Sequence, residues 1–527
     1  MVAIAVYAPA LRNLYTLDDT LISSTAHDRA SASLSTLFSH EYFGRYDQDT
    51  YRPFATLTSM FDFRIGIDPR HAAHAQNILW QAGAAALVFA FARRFLPLAA
   101  ALVAGLFFAI HPGTTESTVS IGYREDAVVT CLLVASLSLT WSGHAARRGL
   151  ALGLYALALF TKENAIVFPA LVVVARVTLE RPVSREKRRA WLRELAAFAL
   201  VTAAYVVVRF GVMGSPERFA DPAGGTYWRT LVAVPWIFAH YVRVLFWPWP
   251  LLALYAHEFP EGGVLLPQLP WIALDVGFLL VAFGLARSRP FIGFGLLWFA
   301  VALAPVLHFV PMRVWAADRF VHLSLVGGAF AAGATFAALQ AAAASPAARR
   351  AIVAGTAAAL VALLALTEQR IPVWHDDVAL WRDTLRHNPR AYLGHFYLAV
   401  DDETHGRAER ARARLRAAVD DCPRDSAFGR DRFCAYFASK LGLMQLQAGL
   451  LNEARATLDE ALSFSSAYAP AIVGLGDVCL AMGDLSCARR ELTIVTGLDP
   501  RLPVVRAMVD DLRMRLERAE AAAPAAK

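Results

Sequence analysis

YTLDDT at residues 15–20 and DQDTYRP at residues 47–53 are the stretches on which the reading of this chain turns. Both lie in a hydrophilic segment, 13–74, that interrupts an otherwise apolar part of the sequence. Before that segment stands a short apolar stretch, Val2 to Leu11. After it come apolar runs at 74–92, 97–111, 126–141, 149–161, 164–179, 195–213, 230–254, 270–286, 291–310, 322–340 and 351–367. A helix needs ~20 apolar residues to cross the hydrocarbon. Several of the runs are short, but their number and spacing predict a polytopic bundle, and a polar segment between such runs lies at a membrane face.

The chain is 57% hydrophobic and 18% charged, with a mean hydropathy of +0.42. Soluble domains hold about 45–50% apolar and about 25% charged residues, so an integral membrane protein is expected. The apolar excess ends near 367, and from Trp374 onward the composition is that of a charged helical domain. The fold expected is therefore all-α: a membrane domain over 1–372, a soluble domain over 373–516 and a disordered tail over 517–527. A net charge of +7 and a pI near 9.2 would suit nucleic acid. Here, however, the basic residues stand in short loops between apolar runs, which marks orientation in the membrane and excludes nucleic acid as the expected partner. No cleavable signal is expected, since residues 1–10 carry no charged side chain. The stretch Val2 to Leu11 is about half a span, completed by tilt or clipped at the start of the sequence; clipping is expected, because the loop at Asp18 needs an anchor on that side.

Arg93 with Arg94, Arg147 with Arg148, the cluster from Arg181 to Arg193, Arg287 with Arg289, and Arg349 with Arg350 would all be cytoplasmic. An even number of crossings must separate successive clusters, yet three runs lie between Arg193 and Arg287. The run 230–254 is expected not to span, because its HYVRVLFWPWPLLALY carries Arg243 and two Trp-Pro pairs; proline breaks helix bonding and Trp favours the interface. About eleven crossings result. The parity places the Asp18 loop, HPGTTESTVSIGYRED (111–126), TKEN (161–164), VWAADRF (314–320) and the soluble domain all on the extracytoplasmic side.

In the soluble part, QAGLLNEARATLDEAL and AMGDLSCARRELTIV align at a period of 34, Gly449 on Gly483 and Ala454 on Ala488. A small residue at a turn and an alanine between pressed helices are what a helix-turn-helix repeat needs, and ~34 is the tetratricopeptide (TPR) period. Residues 392–422 read as a further, degenerate repeat, so a TPR α-solenoid is expected. Of five cysteines, Cys131 lies in an apolar run; Cys479 and Cys487 stand symmetrically about Gly483, and Cys422 and Cys434 flank the link between repeats. Disulfides are allowed outside the cytoplasm, and buried free thiols are the other reading. No CxxC or histidine cluster points to metal.

Ionisable residues at membrane depth are costly and usually mark a site or pathway. Asp18, Asp19, Glu116, Arg124, Glu125, Asp126, Lys162, Glu163, Asp318 and Arg319 all fall at the ends of apolar runs on one predicted side. A carboxylate pair with cations nearby can take a proton from a hydroxyl and stabilise a phosphate leaving group. Each also has a plain reading: a helix cap for Asp18 and Asp19, boundary ion pairs within the Arg124–Asp126, Lys162–Glu163 and Asp318–Arg319 groups, an interface anchor for Arg52, and a helix terminus for His111.

YTLDD, SHEYFGRYDQDTYRPFATLT, HPGTTESTVSIGYRED, FTKENAIVFP and ADRFVHLSLVG, followed by TPRs, together resemble the transmembrane and TPR-containing O-mannosyltransferases, a family of GT-C glycosyltransferases. The resemblance implies a GT-C bundle and a polyprenyl-phosphate sugar, mannose or another hexose, as donor. It further implies inverting transfer to Ser/Thr hydroxyls and TPRs that engage the acceptor protein. By position it puts the acidic pair on Asp18, the base, and Asp19, which would orient the acceptor or substitute for it. Arg52, Glu116, Arg124, Glu125, Lys162, Glu163, Asp318 and Arg319 become the donor-phosphate or substrate residues. Tyr123 departs from the family's Gly-Arg-x-Glu element, so which residues fill its Arg and acid positions stays open. No metal site is assigned; the acidic pair is of a type that holds a divalent ion, but no further ligands stand at a defined spacing. A lipid or cell-surface glycan as acceptor, and a non-catalytic membrane scaffold with a TPR docking domain, are the competing readings. Arg far exceeds Lys, which points to a GC-rich bacterial source and so to the inner membrane, with the loop and the TPRs outside the cytoplasm.

Overall fold

The structure, a computed structural model, describes residues 1–24, 33, 35–39, 51–141, 144–180, 184–213, 226–255, 264–312, 314–423, 430–498 and 503–522. Asp47 and Asp49 lie outside them. Every regular element among the described residues is helical.

Helices stand on each apolar run: Pro69–Ala92, Leu98–Ile110, Arg124–Thr140, Ala145–Leu159, Phe168–Leu179, Arg185–Met213, Tyr227–Phe246, Leu269–Ser288, Pro290–Leu303, His322–Ala342 and Pro346–Arg370. The polar segment is itself partly helical, over Asp19–Ser24 and Pro53–Arg64. Among the described residues five helices are long and apolar enough to cross a bilayer, six if the bent pair Leu98–Ile110 and Pro112–Val119 counts as one span. The expected count of about eleven is thus larger than helix length alone supports. The remaining helices are cut short by turns that a hydropathy window does not register. His111-Pro112 bends the chain by 52°, Lys162 precedes a 3-10 turn at Glu163–Val167, and Pro290–Leu303 gives way to a 3-10 turn at Ala304–Val306. The helix Tyr227–Phe246 ends where its Trp-Pro pairs begin.

The chain divides into two compact units, the second formed mainly by Trp381–Lys527, slightly later than the expected boundary. In the first unit, His322–Ala342 is the buried centre. Glycine lets its neighbours approach it closely: a Cβ on Gly327 would collide with the Gly295 carbonyl, one on Gly295 with the Gly327 carbonyl, and one on Gly333 with backbone and side-chain atoms at Ala100 and Ala104. Such small-residue crossings are how membrane helices gain close packing. By contrast, Arg185–Met213, Leu269–Ser288 and Pro346–Arg370 are apolar yet mostly uncovered, with Leu200 at 72% and Leu280 at 67% exposure. Contiguous apolar surface of that kind is costly in water and ordinary in lipid, so the chain has the make-up of an integral membrane protein.

The second unit contains three helix pairs, Tyr392–Thr404 with Ala408–Asp420, Arg430–Gln447 with Leu451–Phe464, and Ala469–Ala481 with Leu485–Gly497, closed by Pro503–Ala522. Gly449 and Gly483 take φ of +76°, a left-handed turn that other residues adopt only under strain. Ala454 and Ala488 are fully buried. Disulfides join Cys422 to Cys434 and Cys479 to Cys487, with Cα–Cα distances of 6.0 and 5.7 Å, while Cys131 is a buried free thiol. The expected tail at 517–527 is corrected in part: residues 517–522 continue the last helix, and 523–527 lie outside the described residues. Ala and Glu are strong helix formers; Leu516 packs on Cys479 and Cys487, and Glu520 accepts from Arg489 at 2.6 Å.

Candidate functional site

The 111–126 and 314–320 segments meet the loop at Asp18 and Asp19, and the 161–164 segment joins the 111–126 segment through Lys162 on Asp126 and Glu125. Leu17 donates its backbone N–H to Asp377 at 2.9 Å, Leu14 donates to the His375 carbonyl at 2.7 Å, and His74 contacts the Asn13 carbonyl at 3.2 Å. The loop therefore has anchors of its own, independent of the length of the first helix.

The two acids divide in environment. Asp19 is fully buried. One oxygen accepts from Gly122 N–H at 2.6 Å and from the Ser120 hydroxyl at 2.9 Å; the other accepts from the Thr16 N–H at 3.2 Å and hydroxyl at 3.3 Å. Burial raises its carboxyl to about 6 in spite of these hydrogen bonds from Gly122, Ser120 and Thr16. Enclosed in this way, Asp19 fastens the loop to the Ser120–Tyr123 turn and has no face toward an acceptor. Asp18 is exposed; one oxygen accepts from the Tyr123 hydroxyl at 2.9 Å, and the other has no hydrogen-bond partner among the described residues.

Beside Asp18 lies Arg319, its guanidinium carbon 4.0 Å from the centre of the Tyr123 ring. Its backbone N–H and Nη1 donate to Glu116 at 2.8 and 2.5 Å; Nε and Nη2 keep their donors unengaged among the described residues. The bend at His111-Pro112 is what carries Glu116 to this place. Asp318 is almost wholly buried, 3.5 Å from Arg370. Asp318 and Arg319 thus face different partners and do not form the self-paired boundary that was one reading of them.

A second group adjoins the first. Arg52 donates Nη1 to Glu125 at 2.8 Å, and Nε and Nη2 to Glu163 at 3.0 and 2.9 Å. Lys162 reaches Asp126 at 2.6 Å and Glu125 at 3.9 Å, and Arg209 lies 3.4 Å from Glu163. Burial would raise the Glu163 carboxyl, but Arg52 and Arg209 outweigh it and hold it below its ordinary value. Arg52 spends its whole fork on these two acids. Arg124 stands apart: buried, it pairs with Asp62 at 2.7 Å and donates to Asn77 at 2.6 Å and to the Ala73 carbonyl at 3.2 Å. Asn77 in turn donates to the Ser120 carbonyl at 2.8 Å. Arg124 therefore braces the turn that holds Asp19.

Sequence reasoning missed Asp62, Asn77, Arg209 and Arg370, and took Tyr123 only as a departure from a pattern. Arg209 carried a signal, a lone charge in an apolar stretch, which needs a partner; Asp62 and Arg370 each stand two residues from an opposite charge, Arg64 and Glu368, which hid their distant partners. Among the described residues no group of three or more His, Cys, Asp or Glu is arranged to hold a metal ion. No family model matches the chain, and no curated protein matches it.

Proposed function

We propose that the chain is a GT-C-type membrane glycosyltransferase that moves a hexose from a polyprenyl-phosphate carrier to Ser or Thr hydroxyls of an extracytoplasmic protein, with inversion. The observation that carries this reading is Asp18: exposed, with one oxygen lacking a hydrogen-bond partner among the described residues, and next to an arginine whose Nε and Nη2 are unengaged among them. Every other acid of the cluster faces a cation or is enclosed.

Asp18 takes the proton of the acceptor hydroxyl as its oxygen forms a bond to the anomeric carbon. The bond from that carbon to the phosphate oxygen breaks on the opposite face, and its electron pair leaves on the polyprenyl phosphate. Arg319 stabilises that departing charge, and the proton passes from Asp18 to water. One in-line displacement inverts the centre, unlike the two-step route through a glycosyl-enzyme. Arg52 and Lys162 hold Glu125, Asp126 and Glu163 in place at the edge of the site. The Cys422–Cys434 and Cys479–Cys487 bonds support an oxidising, extracytoplasmic location. The repeated helix pairs, with glycine turns in register, support a TPR solenoid that docks the acceptor.

The test is incubation of purified protein with radiolabelled polyprenyl-phosphate mannose and a Ser/Thr-rich peptide. Transfer is expected, and Asp18→Asn should lower it by about 10²–10⁴-fold while insertion and melting stay as in wild type. Full activity of Asp18→Asn would remove Asp18 from the mechanism; label on lipid instead of peptide would replace the acceptor; no transfer from any lipid-linked sugar would favour the scaffold.

A further inference from the structure

Tyr123 touches two groups of opposite charge that arrive from separate parts of the chain. Its hydroxyl donates to Asp18 at 2.9 Å, and its ring lies under the Arg319 guanidinium at 4.0 Å. The ring is buried, and the turn bearing it is locked from below by Asp19 on Gly122 and by Asn77 on Ser120. Burial pushes the phenol well above its ordinary value, so it remains a protonated donor at any working pH. A cation over a tyrosine face is held by the ring quadrupole, and a hydrogen bond to a charged group is stronger than one between neutral groups. Both interactions hold side chains in one geometry.

We infer that Tyr123 is a positioning residue that sets the base Asp18 and the phosphate-binding Arg319 at a fixed separation, so that hydroxyl activation and leaving-group stabilisation act on one sugar centre. The inference rests on the transferase reading and adds to it a residue outside the acidic pair and the cations. The phenol does not itself exchange a proton. Among the described residues it leaves one Asp18 oxygen for the acceptor and the Nε–Nη2 edge of Arg319 for the phosphate. The charged and titratable groups around Asp18 are Asp19 on its own segment, Tyr123, Arg319 and Asp377, with Glu116 beyond Arg319.

Tyr123→Phe removes the hydroxyl and keeps the ring; Tyr123→Leu removes both. With Tyr123→Phe, kcat is expected to fall about 10–100-fold, the scale of a misplaced catalytic group. The donor KM should stay unchanged, because the ring under Arg319 is kept. Tyr123→Leu should in addition raise the donor KM. Wild-type kcat in Tyr123→Phe, or a rise in donor KM equal to the fall in kcat, would overturn the inference, as would a loss explained wholly by a lower melting temperature. Should wild type itself transfer no sugar, the transferase reading fails, and the coupling is then read without activity. The ¹⁹F resonance of 3-fluorotyrosine placed at 123 should move on Asp18→Asn and again on Arg319→Gln, and indifference to both would sink the coupling.

Discussion

Asp19 shows how far a carboxylate can matter without meeting a substrate. Its four hydrogen bonds come from Thr16, Ser120 and Gly122, and a Cβ added at Gly122 would stand 3.1 Å from its Oδ1 and 3.5 Å from the Asp18 Cβ. Gly122→Ala should therefore displace the acidic pair by a few tenths of an ångström and lower transfer about tenfold or more, since catalysis is sensitive to small misplacements; assay at saturating donor checks it. The raised carboxyl of Asp19, about 6 against an ordinary value near 3.9, also fixes a sign. The folded state holds this proton more tightly than the unfolded one. Its contribution to stability is thus whole below about pH 4, falls as pH rises to about 6 and is flat above. The fall is on the order of 3 kcal/mol. Melting in detergent across that window should show the slope in wild type and a shallower one in Asp19→Asn. At this scale the sequence made Asp18, Asp19, Arg52, Lys162 and Arg319 visible as charges at the ends of apolar runs. Their pairing was hidden, because partners as distant as Asp18 with Tyr123 or Arg52 with Glu163 share no local spacing.

Among helices, the apolar runs predicted positions well and lengths poorly. A hydropathy window averages over His111-Pro112 and over Lys162, whereas the backbone turns at each. The crossing of Pro290–Leu303 with His322–Ala342 was equally invisible, since the glycines at 295 and 327 read as ordinary apolar content. Yet there the two backbones touch. Gly295→Leu or Gly327→Leu must push the helices apart, whereas overpacking a side-chain core costs about 1–3 kcal/mol; contact with backbone exceeds that. Both variants should lose monodisperse protein in detergent, as read by size-exclusion fluorescence. Gly277→Leu, on a face with nothing within 4 Å, should not. Equal yields for all three would mean that the crossing does not bear the packing assigned to it.

For the molecule as a whole, the pairing of its cysteines ties folding to compartment. The repeat period was legible because Gly449 and Gly483 must both turn left-handed, and the cysteine pairing followed only once helices placed Cys479 facing Cys487 across that turn. The 422–434 bond closes a stretch that links two helix pairs, and the 479–487 bond lies under Leu516 of the closing helix. Removing a native disulfide costs about 2–5 kcal/mol, so reduction should expose Pro503–Ala522 to protease before any cut in the apolar unit. In unreduced, denatured protein isolated from membranes, a maleimide-polymer reagent should add a single mass step, at Cys131, and five steps after reduction. Because such bonds form and persist in oxidising compartments, the same count after expression without an oxidising export route should rise toward five, with activity lost in parallel if the second unit must be stapled to work. Five reactive thiols in protein taken from intact, oxidising cells would place the second unit in the cytoplasm, and with it, by the parity of the arginine clusters, the Asp18 loop. A lipid-linked donor displayed on the outer leaflet could not then be its substrate.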